Sequence, residues 1–350
     1  MNYYNEDGYI DMEKIMSIPC PFIFLVHGRG TGKTYGMCKF LLDHLGEKFL
    51  FMRRTQTEAD TISFTDFSPF QPVLNDYPDY PRLVVQSLPN VRNLSGVYKA
   101  EEQGGKLVAT GEAVGYIGAL STISNVRGFN GEMIKYWVLD EFIPERGARS
   151  LGGNSEGERI LNCFETINRN RELRGQPPLK AVFLSNANRM DSPVFQSLGI
   201  LDKIDRMTMR GQNECIMHDR GIAILKLKES PISIKKAETA LYKATGDDDF
   251  KNMSLLNSFS ADTYMYCKTE PIQEYRPIFS YEDIFVYKHK SEQKYYVTRH
   301  RSGGMVRQYF DEEFSRRRMK REQGNFLHAW LVGRISFEDV YCKTKMIDSL

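Results

Sequence analysis

The 350-residue chain lacks the features that define secreted and membrane proteins. Its six cysteines are scattered and form no Cys-x-x-Cys pair, so neither a zinc knuckle nor a disulfide framework is indicated. No apolar run approaches the roughly 18 residues that a membrane-spanning helix needs. The polar, acidic N-terminal stretch also lacks the basic-then-apolar order of a signal peptide. We therefore expect a reduced, intracellular protein that does not enter a membrane.

The chain also has little net charge, since 47 Lys and Arg oppose 45 Asp and Glu to give +2. Composition alone therefore does not indicate a nucleic-acid-binding protein, and 41% hydrophobic residues exclude wholesale disorder. The charge is uneven, however. Between 286 and 321, eleven Lys and Arg stand against four Asp and Glu, a local excess of +7 with tyrosines interleaved. This segment predicts either a phosphate-binding surface or an ordinary solvated face.

The pattern of apolar runs predicts a parallel α/β sheet, because short buried strands alternate with helices. Strand-like runs occur at Phe22–Val26, Lys48–Arg53, Tyr136–Leu139, Lys180–Leu184 and Ile222–Leu227. Helical spacing separates them over 33–45 and 158–174. Residues 230–260 are predicted to be helical and polar, and 263–350 change to β-rich segments followed by a charged stretch.

Residues 27–34 read H-G-R-G-T-G-K-T, a variant of the phosphate loop G-x-x-x-x-G-K-[ST] with His27 at the first glycine position. A strand precedes it and a helix follows, which is the context that a phosphate site requires. Lys33 is expected to reach the β- and γ-phosphates, and the Thr34 hydroxyl to bind Mg²⁺. The predicted ATP-binding residues are Gly28, Arg29, Gly30, Thr31, Gly32, Lys33 and Thr34.

An acidic pair follows the strand Tyr136–Leu139. Asp140 is expected to hold Mg²⁺, and Glu141 to polarise the attacking water, as in ATPases that convert hydrolysis into movement. A GTPase switch is disfavoured, because an Asn-Lys-x-Asp guanine motif is absent and Asp140 does not begin a D-x-x-G sequence. A small-molecule kinase fits poorly, because it needs no water-activating glutamate.

Two further polar features lie where such a motor would need them. Ser185 and Asn186 end the strand after the acidic pair and could sense the γ-phosphate, although Ser-Asn is also ordinary turn chemistry. Arg169 and Arg171 end the preceding helix. Either could stabilise transition-state charge on a neighbouring subunit's nucleotide, or both could be solvated helix-end residues.

Together these motifs resemble the DNA-packaging (encapsidation) ATPases of phi29-like tailed phages and, more distantly, the ATPase domain of large terminases. The resemblance covers about 20 to 190. It is carried by HGRGTGKT at 27–34, FMRR at 51–54, VLDEFI at 138–143, NRNRE at 168–172 and FLSNA at 183–187.

The resemblance implies an ATP- and Mg²⁺-dependent motor that packages double-stranded DNA. It would work in the host cytoplasm as a homo-oligomeric ring, with a pentamer as the family expectation, docked transiently on the portal vertex of the procapsid. A structural packaging RNA is a further possible partner. By position, Glu141 corresponds to the catalytic glutamate, Arg169 to the trans-acting arginine finger, and Arg53 and Arg54 to an arginine pair near the nucleotide. Gln56 stands where the family has a lysine.

The expected fold class is α/β, namely a P-loop NTPase of the additional-strand type, followed by an α+β domain that resembles a degenerate ribonuclease H-like nuclease. The predicted boundaries are 1–228 for the ATPase domain, 229–262 for a helical linker and 263–350 for the nuclease-like domain. Asp311, Glu312 and Glu313 are consecutive, so their side chains cannot all converge on one metal pair. We therefore expect no nuclease activity.

Candidate DNA contacts lie late in the chain and in one earlier loop. They are Lys288, Lys290, Lys294, Arg316, Arg317, Arg318 and Arg127. A contact with the portal or with a structural RNA would leave the same pattern. Two rival functions stay open at this point: a large terminase with an active nuclease, and a nucleotide-dependent clamp or scaffold without turnover.

Overall fold

The computed structural model describes residues 2–89, 91–122, 131–143, 151, 155–186, 192–227, 230–245, 267–301, 304 and 306–349. The chain forms two compact units. The first comprises Met1–Asn188, Ser192–Leu198 and Arg210–Ser258, and the second comprises Arg189–Asp191, Gly199–Met209 and Phe259–Leu350. The helical segment within Gly199–Met209 thus belongs to the second unit, although the sequence prediction places it within 1–228.

A nine-stranded sheet forms the centre of the first unit, in the order β3-β4-β5-β2-β6-β7-β1-β9-β8. The strands are β1 Phe22–His27, β2 Lys48–Arg53, β3 Leu83–Ser87, β4 Leu94–Gln103, β5 Lys106–Ala119, β6 Ile134–Asp140, β7 Lys180–Asn186, β8 Glu214–Met217 and β9 Ile222–Lys226. The six strands from β5 to β9 in this order are mutually parallel, and antiparallel strands flank them on both sides. The predicted mixed α/β architecture with a largely parallel sheet is confirmed.

The helices of the first unit are α1 Met12–Met16, α2 Lys33–Asp43, α3 Gln56–Ile62, α4 Gln71–Asp76, α5 Ser155–Asn168, α6 Pro193–Ser197, α8 Pro231–Ala237 and α9 Ala240–Ala244. α5 ends earlier than the predicted 158–174. Arg169 and Asn170 take φ values of 41° and 58°, which cannot continue an α-helix.

The parallel strands are apolar on both faces because helices cover the sheet on both sides. Phe24, Val138 and Phe183 are fully buried at the middles of β1, β6 and β7. All three strands run in the same direction, so their carboxyl ends, at His27, Asp140 and Asn186, reach the same edge of the sheet. β7 lies between β1 and β6.

The second unit contains a five-stranded sheet in the order β13-β10-β11-β12-β14. Its elements are α7 Leu201–Met209, β10 Tyr275–Tyr281, β11 Ile284–His289, β12 Tyr295–Thr298, β13 Arg307–Tyr309, α10 Glu313–Glu322, α11 Gly324–Leu331, β14 Ile335–Phe337 and α12 Val340–Ser349. β11 and β12 pair antiparallel and form a hairpin. Phe279, Tyr309 and Phe326 pack edge to face in the core of this unit. Among the described residues, no helix combines the length and the apolar composition needed to cross a bilayer.

Candidate functional site

The loop between β1 and α2 depends on glycine. Gly30 and Gly32 have φ values of 70° and 86°, in the left-handed region, and Gly32 is the N-cap of α2. A Cβ placed on Gly32 would lie 3.2 Å from Cδ1 of Tyr9. A side chain at this position would strain the backbone and press on Tyr9, so the turn into the helix favours glycine. The amide groups of the first turn of α2 follow directly and supply a site that favours anions.

His27, at the usual first glycine position, is fully buried at the base of the loop. Its Nδ1 accepts a hydrogen bond from the Gly28 N–H over 2.8 Å, and its Nε2 lies 2.9 Å from the Tyr4 hydroxyl. Burial and the nearby charge of Lys33 lower the pKa of His27 to about 3. The imidazole therefore stays neutral and fixes the loop without adding charge.

The Lys33 ammonium is directed along the loop. Nζ donates to the backbone oxygens of His27 and Gly28 over 2.9 and 2.7 Å and to Oδ1 of Asn186 over 3.1 Å. Burial is the main cause that lowers the pKa of Lys33, to about 8. Lys33 is thus a desolvated cation with hydrogen bonds that an incoming anion can replace.

The acidic pair meets the phosphate loop at the end of β6. The Thr34 hydroxyl donates to Oδ2 of Asp140 over 2.9 Å. Arg53, at the end of β2, pairs with both acids, through Nη2 to Asp140 at 3.3 Å and through Nη1 to Glu141 at 2.9 Å. Glu141 has a φ of 61°, a conformation that costs a non-glycine residue about 1 kcal/mol. Such strain is found at functional sites, where the surrounding structure holds the residue in place.

A cavity of about 250 Å³ lies between these groups, bounded by the loop from Gly30 to Tyr35, by the acidic pair, and by Ser185 and Asn186. Ser185 is buried, and its hydroxyl donates to the backbone oxygen of Asn186. Of these two residues, Asn186 is the one whose side chain contacts the Lys33 ammonium. Nε of Arg53 is buried and makes no hydrogen bond to the described residues. An unsatisfied cationic donor beside this cavity fits a bound anion. The Thr34 hydroxyl and Asp140 carboxylate are the hard oxygen donors that Mg²⁺ prefers.

Arg54 differs from its neighbour Arg53. Its Nε lies 2.6 Å from Oε1 of Glu156, its Nη2 donates to Oε2 over 3.2 Å, and both side chains are almost fully buried. The bidentate pair joins the end of β2 to the first turn of α5. The guanidinium expected to bind nucleotide is therefore already paired with a carboxylate through two of its donor atoms.

The two arginines after α5 also differ from each other. Arg171 is buried, and its Nη2 donates to the backbone oxygens of Gly131, Glu132 and Ile134 over 3.1, 2.8 and 2.5 Å. Arg169 is only partly buried. Both lie near the start of β6, whereas Asp140 is at its end, about 20 Å away for a seven-residue strand. Arg169 therefore lies far from the cavity of its own chain.

Arg171→Ala is expected to lower the free energy of unfolding by about 2–3 kcal/mol, because it leaves the buried carbonyl groups of Gly131 and Ile134 without their shared donor. Arg174→Ala is the matched control, since Arg174 is exposed and pairs with Glu132 on the surface. Urea unfolding of the two variants measures the difference. Equal stabilities would show that Arg171 does not support the start of β6.

Several residues of the site escaped the sequence prediction. Lys236, on α8, donates to the backbone oxygen of Arg29 over 2.6 Å, and its Nζ would lie 2.7 Å from a Cβ on Gly30. The segment before α1 also contacts the loop, because the Ile10 N–H donates to the oxygen of Thr31. No motif marks the Lys236 contact, because Lys236 and Arg29 are 207 residues apart in the sequence.

The predicted DNA-binding residues lie on two elements of the second unit, and most have local partners. Lys288, Lys290 and Lys294 are on or between β11 and β12; Lys294 pairs with Glu292, and Lys290 donates to a backbone oxygen. The three arginines of α10 pair with acids near or on the same helix, as Arg316–Asp311, Arg317–Glu313 and Arg318–Glu322. Arg127 lies outside the described residues.

The acidic residues of the second unit considered as nuclease ligands are engaged in other contacts. Asp311 accepts a hydrogen bond from the Tyr281 hydroxyl. Within the described ranges, one group of potential metal ligands comes together: Glu338, Asp339 and Cys342. Its members are used structurally. Glu338 accepts from the Thr298 hydroxyl, and Asp339 accepts from the backbone N–H of Cys342 at the start of α12.

No protein-family model matches the sequence, and no curated protein does either. Among solved structures, a chain of the bacteriophage phi29 viral genome packaging motor assembly matches with a TM-score of 0.67 and 18% identity, covering 97% of this chain and 98% of the other. The phi28 gp11 DNA packaging motor matches with a TM-score of 0.57 and 18% identity, covering 99% and 97%. A large terminase ATPase domain of Thermus phage P74-26 reaches a TM-score of only 0.29, with 17% identity over 51% of this chain and 64% of that one. The first two matches confirm that the fold resembles that of phage packaging motors along nearly the whole chain.

Proposed function

We propose that this chain is the ATP-hydrolysing subunit of a motor that drives double-stranded DNA into a viral procapsid. The observation that carries the proposal is the meeting of Thr34, Asp140 and Glu141 at one cavity beside a glycine-dependent phosphate loop. β7 lies between the loop strand β1 and the acidic strand β6, which supports the additional-strand type of P-loop ATPase. The fold shared with phage packaging motors supports the choice of a DNA motor over other ATPases.

The loop residues would bind the triphosphate as follows. The backbone amides from Gly28 to Thr34 cradle the phosphate oxygens, and Lys33 exchanges its carbonyl partners for the β- and γ-phosphates. Thr34 and Asp140 hold Mg²⁺, which, when bound, neutralises charge on the phosphate oxygens. The Arg53 side chain, with its unsatisfied Nε, exchanges its carboxylate partners for the negatively charged nucleotide.

Glu141 would then act as the base. Release from Arg53 frees its carboxylate to accept a proton from the water that attacks the γ-phosphorus in line. Asn186, already bonded to Lys33, would report the loss of the γ-phosphate to β7. We assign Arg54 a structural role, since Glu156 occupies its guanidinium.

Arg169 would complete the site of a neighbouring copy. Because it lies at the opposite edge of its own sheet, it can reach a nucleotide only across a head-to-tail interface, the kind of interface from which rings are built when the rotation closes. A homopentameric ring on the portal vertex, located in the host cytoplasm and absent from or not integral to the mature virion, follows from the family resemblance. Double-stranded DNA, the portal and a structural packaging RNA are the partners of this proposal.

The second unit would contact DNA or the portal through the lysines of the β11–β12 hairpin and the arginines of α10. The second unit would be a vestigial nuclease domain, since its acidic side chains Asp311 and Glu338 are used in structural contacts. Weak, salt-sensitive phosphate contacts suit a motor that must release DNA at each step. Arg127 stays a second proposed DNA contact in the first unit.

Steady-state ATP hydrolysis with and without double-stranded DNA tests the function. We expect Mg²⁺-dependent turnover that rises with DNA. ATP binding without turnover would favour a clamp or scaffold, and cleavage of the DNA in Mg²⁺ or Mn²⁺ would favour a complete terminase.

The pKa of Lys33 leads to a prediction on pH dependence. ATP binds more tightly when the Lys33 side chain is protonated, and in the protein without nucleotide this form predominates below a pH of about 8. The dissociation constant of ATP should therefore be constant below pH 8 and rise above it, by at most about tenfold per pH unit. Titration calorimetry from pH 6.5 to 9.5 measures it. Affinity that stays constant across this range would mean that Lys33 does not titrate there.

A further inference from the structure

A lysine from a distant part of the chain lies against the phosphate loop. Lys236 belongs to α8, and its Nζ donates to the backbone oxygen of Arg29 over 2.6 Å. A Cβ placed on Gly30 would lie 2.7 Å from the same nitrogen and 3.2 Å from Cε of Lys236. Gly30 also lines the 250 Å³ cavity beside the acidic pair. The Lys236 ammonium therefore lies over the loop backbone at the border of this cavity.

The topology of the sheet brings α8 to this position. β9 pairs with β1 and runs parallel to it, so its end at Lys226 reaches the edge of the sheet where the phosphate loop begins. Ser230 then caps α8, since its side chain accepts from the N–H of Ile232. The Ser230 hydroxyl also donates to the backbone oxygen of Gly8, which ties the start of the helix to the N-terminal segment. Lys236 thus approaches the loop from an anchored helix.

The Lys236 ammonium is held in place but is not neutralised. It lies 5.4 Å from the centroid of the Tyr242 ring, and this ring is buried. Among the residues that the structure describes, Nζ has one hydrogen-bond acceptor and no carboxylate partner, although an ammonium has three donors. Glu238, the nearest acid along the chain, pairs with Lys243 instead. Lys236 is thus a positioned cation with donors left for an anion.

The charges of Lys236 and Lys33 act on each other. Burial is the main cause that lowers the pKa of Lys33, and the nearby charge of Lys236 lowers it further. An anion bound at the loop would relieve this repulsion and would attract both ammonium groups. The arrangement therefore favours a ligand with several negative charges, such as a chain of phosphates.

We propose that Lys236 is an additional phosphate-binding residue, which exchanges the backbone oxygen of Arg29 for a phosphate oxygen of the bound nucleotide. The inference rests on the proposed function, because it requires a nucleotide in the loop. Lys33 is supplied by the loop motif itself, whereas Lys236 is supplied by the segment that follows β9. This segment thereby becomes part of the nucleotide site.

Lysine acetylation of the native full chain tests the contact without any substitution. Limiting acetic anhydride is added with and without inorganic tripolyphosphate in Mg²⁺, and peptide fragmentation by mass spectrometry gives the rate at each lysine. Tripolyphosphate has no base or sugar, so protection must come from phosphate. Acetylation of Lys236 should slow by at least about fivefold. Lys235, the exposed neighbour on the same helix, should react at an unchanged rate.

Substitution of Lys236 measures what its charge contributes. Lys236→Met keeps an unbranched side chain beside Tyr242 but removes the ammonium, and should weaken both ATP and tripolyphosphate binding by about tenfold. Lys236→Arg keeps the charge and should bind both ligands within about threefold of the native chain. Lys235→Met is the matched control and should bind within about twofold. Titration calorimetry on the full chain gives the dissociation constants.

The outcomes separate this contact from the proposed function. Equal acetylation rates of Lys236 with and without tripolyphosphate, or native affinities in Lys236→Met, would overturn the inference and leave the phosphate loop intact. A loss of ATP affinity with unchanged tripolyphosphate affinity would place the effect at the nucleoside and would also overturn it. A native chain that binds neither ligand would contradict the proposed function as well.

Discussion

Glu141→Gln is expected to bind ATP with native affinity and to hydrolyse it about 1,000-fold more slowly, since a positioned general base contributes about this factor. Glutamine keeps the shape of the side chain but cannot accept the proton of the attacking water. The substitution also removes the ion pair with Arg53, so ATP affinity is expected to stay equal or to rise slightly. Titration calorimetry measures the ATP affinity, and steady-state turnover with double-stranded DNA measures the hydrolysis rate.

Glu282→Gln is the matched control for this variant. Glu282 is also a glutamate with a left-handed backbone, at a φ of 53°, but it lies in the second unit. It should hydrolyse ATP at the native rate. Turnover by Glu141→Gln within tenfold of the native rate would show that another group activates the water.

Arg169→Ala is expected to lower DNA-stimulated hydrolysis by about 1,000-fold, the lower limit for loss of an arginine finger. ATP affinity should change little, because Arg169 lies near the start of β6, where Arg174 contacts both its backbone oxygen and Glu132, away from the cavity of its own chain. Arg174→Ala, five residues along and half exposed, should hydrolyse normally. The readouts are turnover and calorimetric ATP affinity for both variants.

Mixed rings distinguish action in trans from action in cis. When Arg169→Ala and Glu141→Gln subunits are combined, some interfaces join an intact glutamate to an intact arginine from the neighbouring copy. Activity should therefore reappear on mixing two inactive proteins. Mixtures that stay inactive while still forming rings would contradict the assignment of Arg169 to the neighbouring site.

The parts of the fold that could be predicted were those with a local signal. β1 and β2 lie where their apolar runs indicated, because a strand buried on both faces must be continuously apolar. Thr34 and Asp140 lie at the ends of parallel strands or at the loop that follows them, so the sequence order of their elements was enough to predict their meeting. The left-handed φ of Glu141 could not be predicted, because it depends on packing around the end of β6.

The different roles of neighbouring arginines could also not be predicted from the sequence. Arg53 and Arg54 are adjacent, and adjacent residues at a strand end point to opposite sides, so one meets the acidic pair and the other meets Glu156. Arg171 resembled Arg169 in the sequence, but its carbonyl partners lie almost 40 residues earlier. Contacts over such separations are set by tertiary packing and leave no periodic or motif-level trace.

ATP-dependent movement along double-stranded DNA tests the central proposal most directly. A third strand bound as a triplex to one end of the DNA is displaced only by a protein that travels along the duplex. We expect displacement with ATP and the native chain, and none with Glu141→Gln or with a non-hydrolysable analogue. Rapid ATP hydrolysis by assembled rings on this DNA, with the third strand left in place, would contradict the assignment of a translocating motor.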